Sequence, residues 1–458
     1  MSTPISRREV IRRTLCSAAG LGLANSPAVR TWAATPSANM TGKAKSVIQI
    51  WMWGGPPHLD TFDPKPEAGN DYCGPLSRPI ETNVSGIRIS ELLPLLAKQA
   101  DKYSLIRGMT HGNNAHETAT YMVQTGRESG GQLNYPCAGS VVSLFKGYDG
   151  GYQGKIPPYI VLTEPVGRFD ESGFLGNRYK PFITGGDPAQ TRFMVEGIVA
   201  EGLSDSQQRN RRALLNQLDR LPYFLPQHPG LQAMAKSRDQ AYDMILGDGA
   251  KAFNLADEKD ALRDRYGRVT QAAGAPANII AGRTSFGQAC LVARRLVEQG
   301  IPYITINYSG WDTHKDNFVE MKRKLPEFDQ GLATLIQDLS DRGLLDTTIV
   351  WCGGEFGRTP KVQWEAPWNG GRGHWGNAFS ALIAGGGFKG GQVVGATDAR
   401  GEEVTSRQVF PSDLIGSIFQ QLGIDPGARL PNPQGMDTRV MPIPADGVPS
   451  GGLLKELI

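Results

Sequence analysis

Past its first few dozen residues, this 458-residue chain has no run of roughly 18 apolar residues, so no later segment reads as a membrane-spanning helix. It also lacks a basic run. Residues 1–33 carry five Arg against one Glu, so the rest of the chain stands at a formal charge of −1 where the whole stands at +3. A near-neutral remainder excludes nucleic acid as the main partner. Cysteine is scarce: Cys16 falls in the first segment, leaving Cys73, Cys137, Cys290 and Cys352. Their spacing matches no zinc module, which leaves two disulfides or packed thiols, the latter favoured for Cys290 and Cys352 by their apolar surroundings. Histidine is scarcer than size would suggest, with six in all.

Against these shortages stand 57 Gly, 31 Pro and 40% hydrophobic residues, the composition of a large core carrying many loops. The opening residues pair Arg7 with Arg8, continue with a short apolar stretch from Leu15 to Ala24, and then turn to small residues. That is the pattern of a twin-arginine export signal over 1–33, and it predicts a periplasmic or extracellular protein. A basic amphipathic helix is the other reading of the same residues.

From residue 44 onward, apolar runs alternate with helical periodicity. "SVIQIWMWGG", "YSLIRGM", "PPYIVLT", "IPYITINY", "TTIVWCGG" and "FSALIAGGG" read as strands. Helices lie between them, one of which Pro326 should kink or interrupt. The alternation predicts an α/β three-layer sandwich with a mostly parallel central sheet. Residues 165–282, polar and helix-rich, read as a helical insertion or cap, and 425–458 as an extended surface tail.

In a parallel sheet, binding groups gather beyond the carboxyl ends of the strands. Each predicted strand end here is polar. "GGPPHLDTFDPKP" offers His58, Asp60 and Asp63; "GMTHGNNAHETATY" offers His111 and His116; "GWDTH" offers Asp312 and His314; "GGEFGRTPK" offers Glu355 and Arg358; "GGRGHWGNA" offers Arg372 and His374. Five of the six histidines lie in these segments. Imidazoles mixed with carboxylates suit Zn²⁺, Mn²⁺ or Fe better than Mg²⁺ or Ca²⁺. Asp312 and His314, one residue apart, point the same way from an extended backbone and read as paired ligands. Each piece alone also has a structural reading: Asp312 as a helix cap, Asp60 as a turn residue, Glu355 in an ion pair with Arg358.

Together these segments resemble the alkaline-phosphatase-like superfamily, and more closely an exported bacterial branch of it described as a domain of unknown function. The resemblance implies an alkaline-phosphatase-like core over 44–458 and one or two divalent metals, Zn or Mn. It implies Asp60, Asp312, His314 and His374 as ligands; read as a hydrolase, the chain adds Glu355 to them, makes His116 the catalytic position as nucleophile or general base, or else a further ligand, and gives Arg358 and Arg372 to an anionic substrate. The expected activity is hydrolysis of phosphate, sulfate or related esters of small molecules or glycans. Three departures stand out. Glu355-Phe356 occupies the place of an Asp-His pair, Gly373 that of an Asp, and counting back from Thr125-Gly126 places His116 where a hydroxyl nucleophile is expected. No C-x-P-S-R signature is present, Cys137 supplies none, and Thr110 and Thr118 are the nearby hydroxyls. The alternative expectation is an exported binding or scaffold protein that keeps the fold without turnover.

Overall fold

A computed structural model describes residues 41–164, 171–188, 205–219, 248–268 and 286–458, with a few single positions between 228 and 242. The 1–33 segment lies outside the described residues, as does much of the 165–282 segment, of which 171–188, the helix Asp205–Leu218 and the stretch 248–268 are described; Phe182–Ile183 within it pairs with Ile160–Val161 as an edge strand of the central sheet, so that part is not a helical insertion.

Eight strands form the central sheet: β1 (Ser46–Trp51), β2 (Tyr103–Met109), β3 (Tyr159–Leu162), β4 (Phe182–Ile183), β5 (Tyr303–Asn307), β6 (Thr348–Gly353), β7 (Phe379–Ala384) and β8 (Val393–Val394). Their spatial order is β8-β2-β7-β6-β1-β5-β3-β4. All neighbours pair in parallel except β7, which runs antiparallel to both β2 and β6. The mostly parallel sheet expected from the alternating pattern is therefore the one that forms.

Strand β1 is buried along its whole length, which is why it reads as a mostly apolar run; its one long polar side chain, Gln49, is hydrogen-bonded to Gln124, Tyr303 and Thr305. Ile48 and Ile50 enter one core with α3 (Phe286–Glu298) and α4 (Asn317–Asp341). Val47 and Trp51 enter the other, with α1 (His116–Thr125), α2 (Ala138–Val142) and α5 (Pro411–Gln421). These are the three layers.

Helix α4 continues through Pro326 over 25 residues, so of the kink or interruption expected there the interruption does not occur. Its buried stripe, Phe318, Met321, Leu325, Phe328, Leu332 and Leu339, keeps helical spacing on both sides of the proline. Packing of that stripe against α3 and the sheet outweighs the missing backbone donor, a defect of about 3 kcal/mol.

The four cysteines are free and buried, so the disulfide alternative is not realised. The C-terminal tail is docked as well as extended. Leu454 and Leu457 are fully buried, and the Asp413 carboxylate accepts from the Gly451 and Gly452 amides, at 2.8 and 3.1 Å.

Candidate metal centre

Five loops meet at one end of the sheet. Those after β1, β2, β5 and β6 leave carboxyl ends, and the segment entering antiparallel β7 arrives at the same end. One side chain dominates the meeting point.

Asp312 lies after β5 on a loop held from below. Tyr308 stacks on Phe286 at 4.3 Å, Trp311 meets Phe328 edge-on, and Lys324 Nζ donates to Ser309 O at 2.6 Å while lying 4.0 Å over the Tyr308 ring. From the other side the loop touches the β1 turn, where Gly54 adopts φ +111° and a Cβ would stand 2.3 Å from the Asp312 amide nitrogen. Only glycine fits there.

Three imidazoles face the Asp312 carboxylate. His314 Nε2 and His374 Nε2 lie 3.1 and 3.2 Å from Oδ1 and 2.9 Å from each other. His116 Nε2 is buried and lies 3.4 Å from Oδ2. One atom from each of His116, Asp312 and His374 falls within a 4.8 Å set.

The rear nitrogens fix two tautomers. His374 Nδ1 faces the Asn114 carbonyl at 2.8 Å and must donate to it, leaving a lone pair on Nε2. His116 Nδ1 lies 2.6 Å from Glu355 Oε1 and donates in the same way. Glu355, fully buried, also accepts from the Gly54 amide at 2.9 and 3.2 Å.

Acceptors therefore converge on one point. Two imidazole nitrogens 2.9 Å apart cannot both present bare lone pairs to each other, so either His314 donates its Nε2 hydrogen to His374 or a metal stands between them. Ligands bonded at about 2.0–2.1 Å to a tetrahedral ion stand roughly 3.3 Å apart. The His314, His374 and Asp312 atoms form a triangle close to that size, so the donor set fits a divalent transition metal in both chemistry and spacing.

Charge supports the fit. Burial alone would raise the Asp312 pKa, but hydrogen bonds from His116, His374 and Arg358 hold it far below the usual carboxylate range. Burial pulls His314 down, which favours its neutral, ligating form. Burial also acts to lower His116, yet hydrogen bonds to Asp312 and Glu355 push it up to about 9. Without a metal, His116 is the cation between those two carboxylates.

Other expected residues have different partners. Asp60 is buried and its oxygens accept from Arg372 Nε and Nη2 at 2.8 Å each and from Asn317 Nδ2 at 2.8 Å. Arg372, with no exposed surface, also donates to the carbonyls of Thr359, Pro360 and Tyr72. Arg358 is buried and donates to Gly55 O, Arg372 O, Gly54 O and Asp312 Oδ1. The structure thus brings His116, Asp312, His314 and His374 together, sets Glu355 behind His116, and leaves Asp60 in an ion pair. In this structure Arg372 is bonded to Asp60 and interior carbonyls, and Arg358 to interior carbonyls and to Asp312.

His111 and His58, the other histidines of these loops, also act as braces. His111 Nδ1 accepts from the Asn113 amide at 3.0 Å, so its Nε2 donates to Glu355 O at 2.6 Å. His58 Nε2 lies 2.8 Å from Gly401 O. Two aromatic residues shape the centre. Phe356 stacks on His374 at 4.6 Å, and Trp53 packs on His116 at 4.5 Å.

The molecule is thus a three-layer α/β protein with a histidine–carboxylate centre beyond the strand ends. The chain belongs to the family described as Protein of unknown function (DUF1501), whose model matches residues 44–449. No curated protein matches it. Among solved structures it is similar to the lipoteichoic acid synthase LtaP from Listeria monocytogenes, at 9% identity and TM-score 0.36, over 86% of this chain and 77% of that one. It is also similar to Ps i-CgsB in complex with k-i-k-neocarrahexaose, at 12% and 0.38 over 89% and 77%, and to alkaline phosphatase from the Antarctic bacterium TAB5, at 12% and 0.35 over 77% and 94%. Likeness at this level transfers no activity.

Glu355→Gln should weaken divalent-metal affinity about 10–100-fold by loosening His116, with the fold intact. Asp60→Asn should instead lower stability by about 3–5 kcal/mol, leaving Arg372 buried and unpaired, while metal-bound protein keeps its stoichiometry. Urea denaturation and metal titration on both variants separate the roles. Ligation through His116 must also displace a proton held up to about pH 9. Metal affinity should therefore rise about tenfold per pH unit below 9 and level off above it. Calorimetric titration near neutral pH in buffers of different ionisation enthalpy should show about one proton released per metal.

Proposed function

We propose that this chain is an exported, metal-dependent hydrolase of phosphate, sulfate or related esters. The observation that carries the reading is the convergence of three imidazoles on Asp312 at the ligand-binding end of a parallel sheet. His116, Asp312, His314 and His374 would hold the metal, Zn or Mn by donor chemistry, with Asp312 offering one oxygen to each side and so able to serve one ion or two. When bound, a divalent cation there supplies Lewis-acid polarisation and a template for the ester oxygens.

The protein supplies the rest. Arg358 holds Asp312 in place, and Glu355 fixes His116 with Nε2 facing inward. His116 is the first residue of α1, whose N-terminus has no side-chain cap, so its backbone amides and helix dipole favour an anionic ester beside it. With Nδ1 committed to Glu355, His116 has one nitrogen left for the site. Used as a ligand it is not also the nucleophile, and the attacking oxygen comes from water. The export route rests on Arg7-Arg8 and the apolar stretch behind them.

A second reading, binding without turnover, is favoured by two features: His116 in place of a hydroxyl nucleophile, and Phe356 stacked against His374 where another imidazole was expected.

Protein purified without chelator should carry one to two equivalents of a transition metal by elemental mass spectrometry. Asp312→Ala with His374→Ala should carry almost none. The wild type should hydrolyse at least one member of a phosphate and sulfate ester panel, with kcat/KM lost at least a thousandfold in the double variant. Metal-loaded protein inert on the whole panel would point to the binding reading; folded protein that takes up no metal would overturn the proposal.

A further inference from the structure

Next to the metal centre, starting one residue after His116, the outer side of α1 forms a wall of a cavity of about 420 Å³. Glu117, Thr118 and Tyr121 line it from the helix, Gln132 and Asn134 from the loop after the helix, and Glu171 from the segment opposite. Glu117 and Tyr121 are four residues apart and so share one helix face. The volume is in the range of sites for small molecules.

The walls are built rather than loose. The Tyr135 amide donates to the Tyr121 hydroxyl at 2.8 Å, and the Phe174 amide donates to Asn134 O at 2.9 Å. The second of these bonds, together with the Tyr135 and Phe174 rings meeting edge to face at 5.6 Å, ties the loop to the segment that carries Glu171. A Cβ on Gly173 would stand 2.3 Å from Asn134 O, so the two segments touch at the backbone.

The lining has one chemical character. It offers two carboxylates, two primary amides, the hydroxyls of Thr118 and Ser129 and the phenol of Tyr121, and no Lys or Arg stands among the described lining residues. The Glu171 carboxylate repels an anion and accepts from O–H donors, amides and hydroxyls both donate and accept, and an aromatic ring covers the C–H face of a sugar. We propose that this cavity binds a hydroxyl-rich, non-anionic sugar residue, the alcohol side of the ester turned over at the metal centre. Its link to turnover rests on the hydrolase reading above; the binding itself does not.

The test is a titration of the full chain with methyl glucoside and, as its anionic counterpart, methyl glucuronide, read by ligand-observed NMR. It uses wild type, Asp312→Ala and Thr118→Trp, the last of which fills the cavity. Methyl glucoside should bind wild type and Asp312→Ala alike, at least tenfold more tightly than the glucuronide, and Thr118→Trp should lose at least tenfold. No saturable binding of the glucoside, equal or tighter binding of the glucuronide, or binding untouched by Thr118→Trp would overturn the proposal. If Thr118→Trp does not fold, Glu171→Lys should bring the glucuronide level with or ahead of the glucoside, and an unchanged preference counts against the cavity. Glucoside binding that meets these criteria in a chain that hydrolyses no ester leaves the cavity standing and removes the hydrolase reading alone.

Discussion

The negative charge of Asp312 is the constraint on which the centre depends. Three imidazoles and one guanidinium turn toward this carboxylate, and the loop that carries it has its own supports, independent of theirs. Glycine at position 54 lets the β1 turn approach the Asp312 backbone, and the Tyr308, Trp311 and Phe328 rings with Lys324 support the loop from inside. A cluster of acceptors held this firmly keeps an unmet demand for positive charge, which a proton on His116 or a metal ion can satisfy.

Around that carboxylate the polar residues divide by the partners behind them. His116 and His374 have their rear nitrogens occupied, by Glu355 and by the Asn114 carbonyl, so each turns one nitrogen inward. The Asp60–Arg372 pair works at a distance from the lone pairs. It joins the β1 loop to the 359–372 segment and, through Asn317, to the first turn of α4, which comes directly after the Asp312 loop. Buried charges of this kind stabilise a geometry only because each partner is fully bonded. The division explains how so many ionisable residues crowd one sheet end while only a few face the space between the loops.

Much of this was legible from the residues. Strands buried on both faces write themselves as mostly apolar runs, and a mostly parallel sheet then directs attention to the loops at the run ends, which brings Asp312, His314 and His374 into view. The roles of Asp60 and Glu355 were not legible, because local sequence does not show that Asp60 meets Arg372, 312 positions away, or that Glu355 meets the Gly54 amide, 301 positions away. A carboxylate in a strand-end loop looks the same whether it faces a metal or an arginine. Pro326 misled for a related reason: the local cost of a proline is visible in sequence, whereas the stripe of packing that offsets it depends on α3 and the sheet.

The most direct test of the account is X-ray absorption at the metal edge on the zinc-loaded protein. Asp312 with His116, His314 and His374 predicts a first shell dominated by imidazole nitrogen at about 2.0–2.1 Å with a carboxylate oxygen, and loss of imidazole scattering in His374→Ala. A first shell of oxygen alone, or one unchanged by His374→Ala, would contradict it.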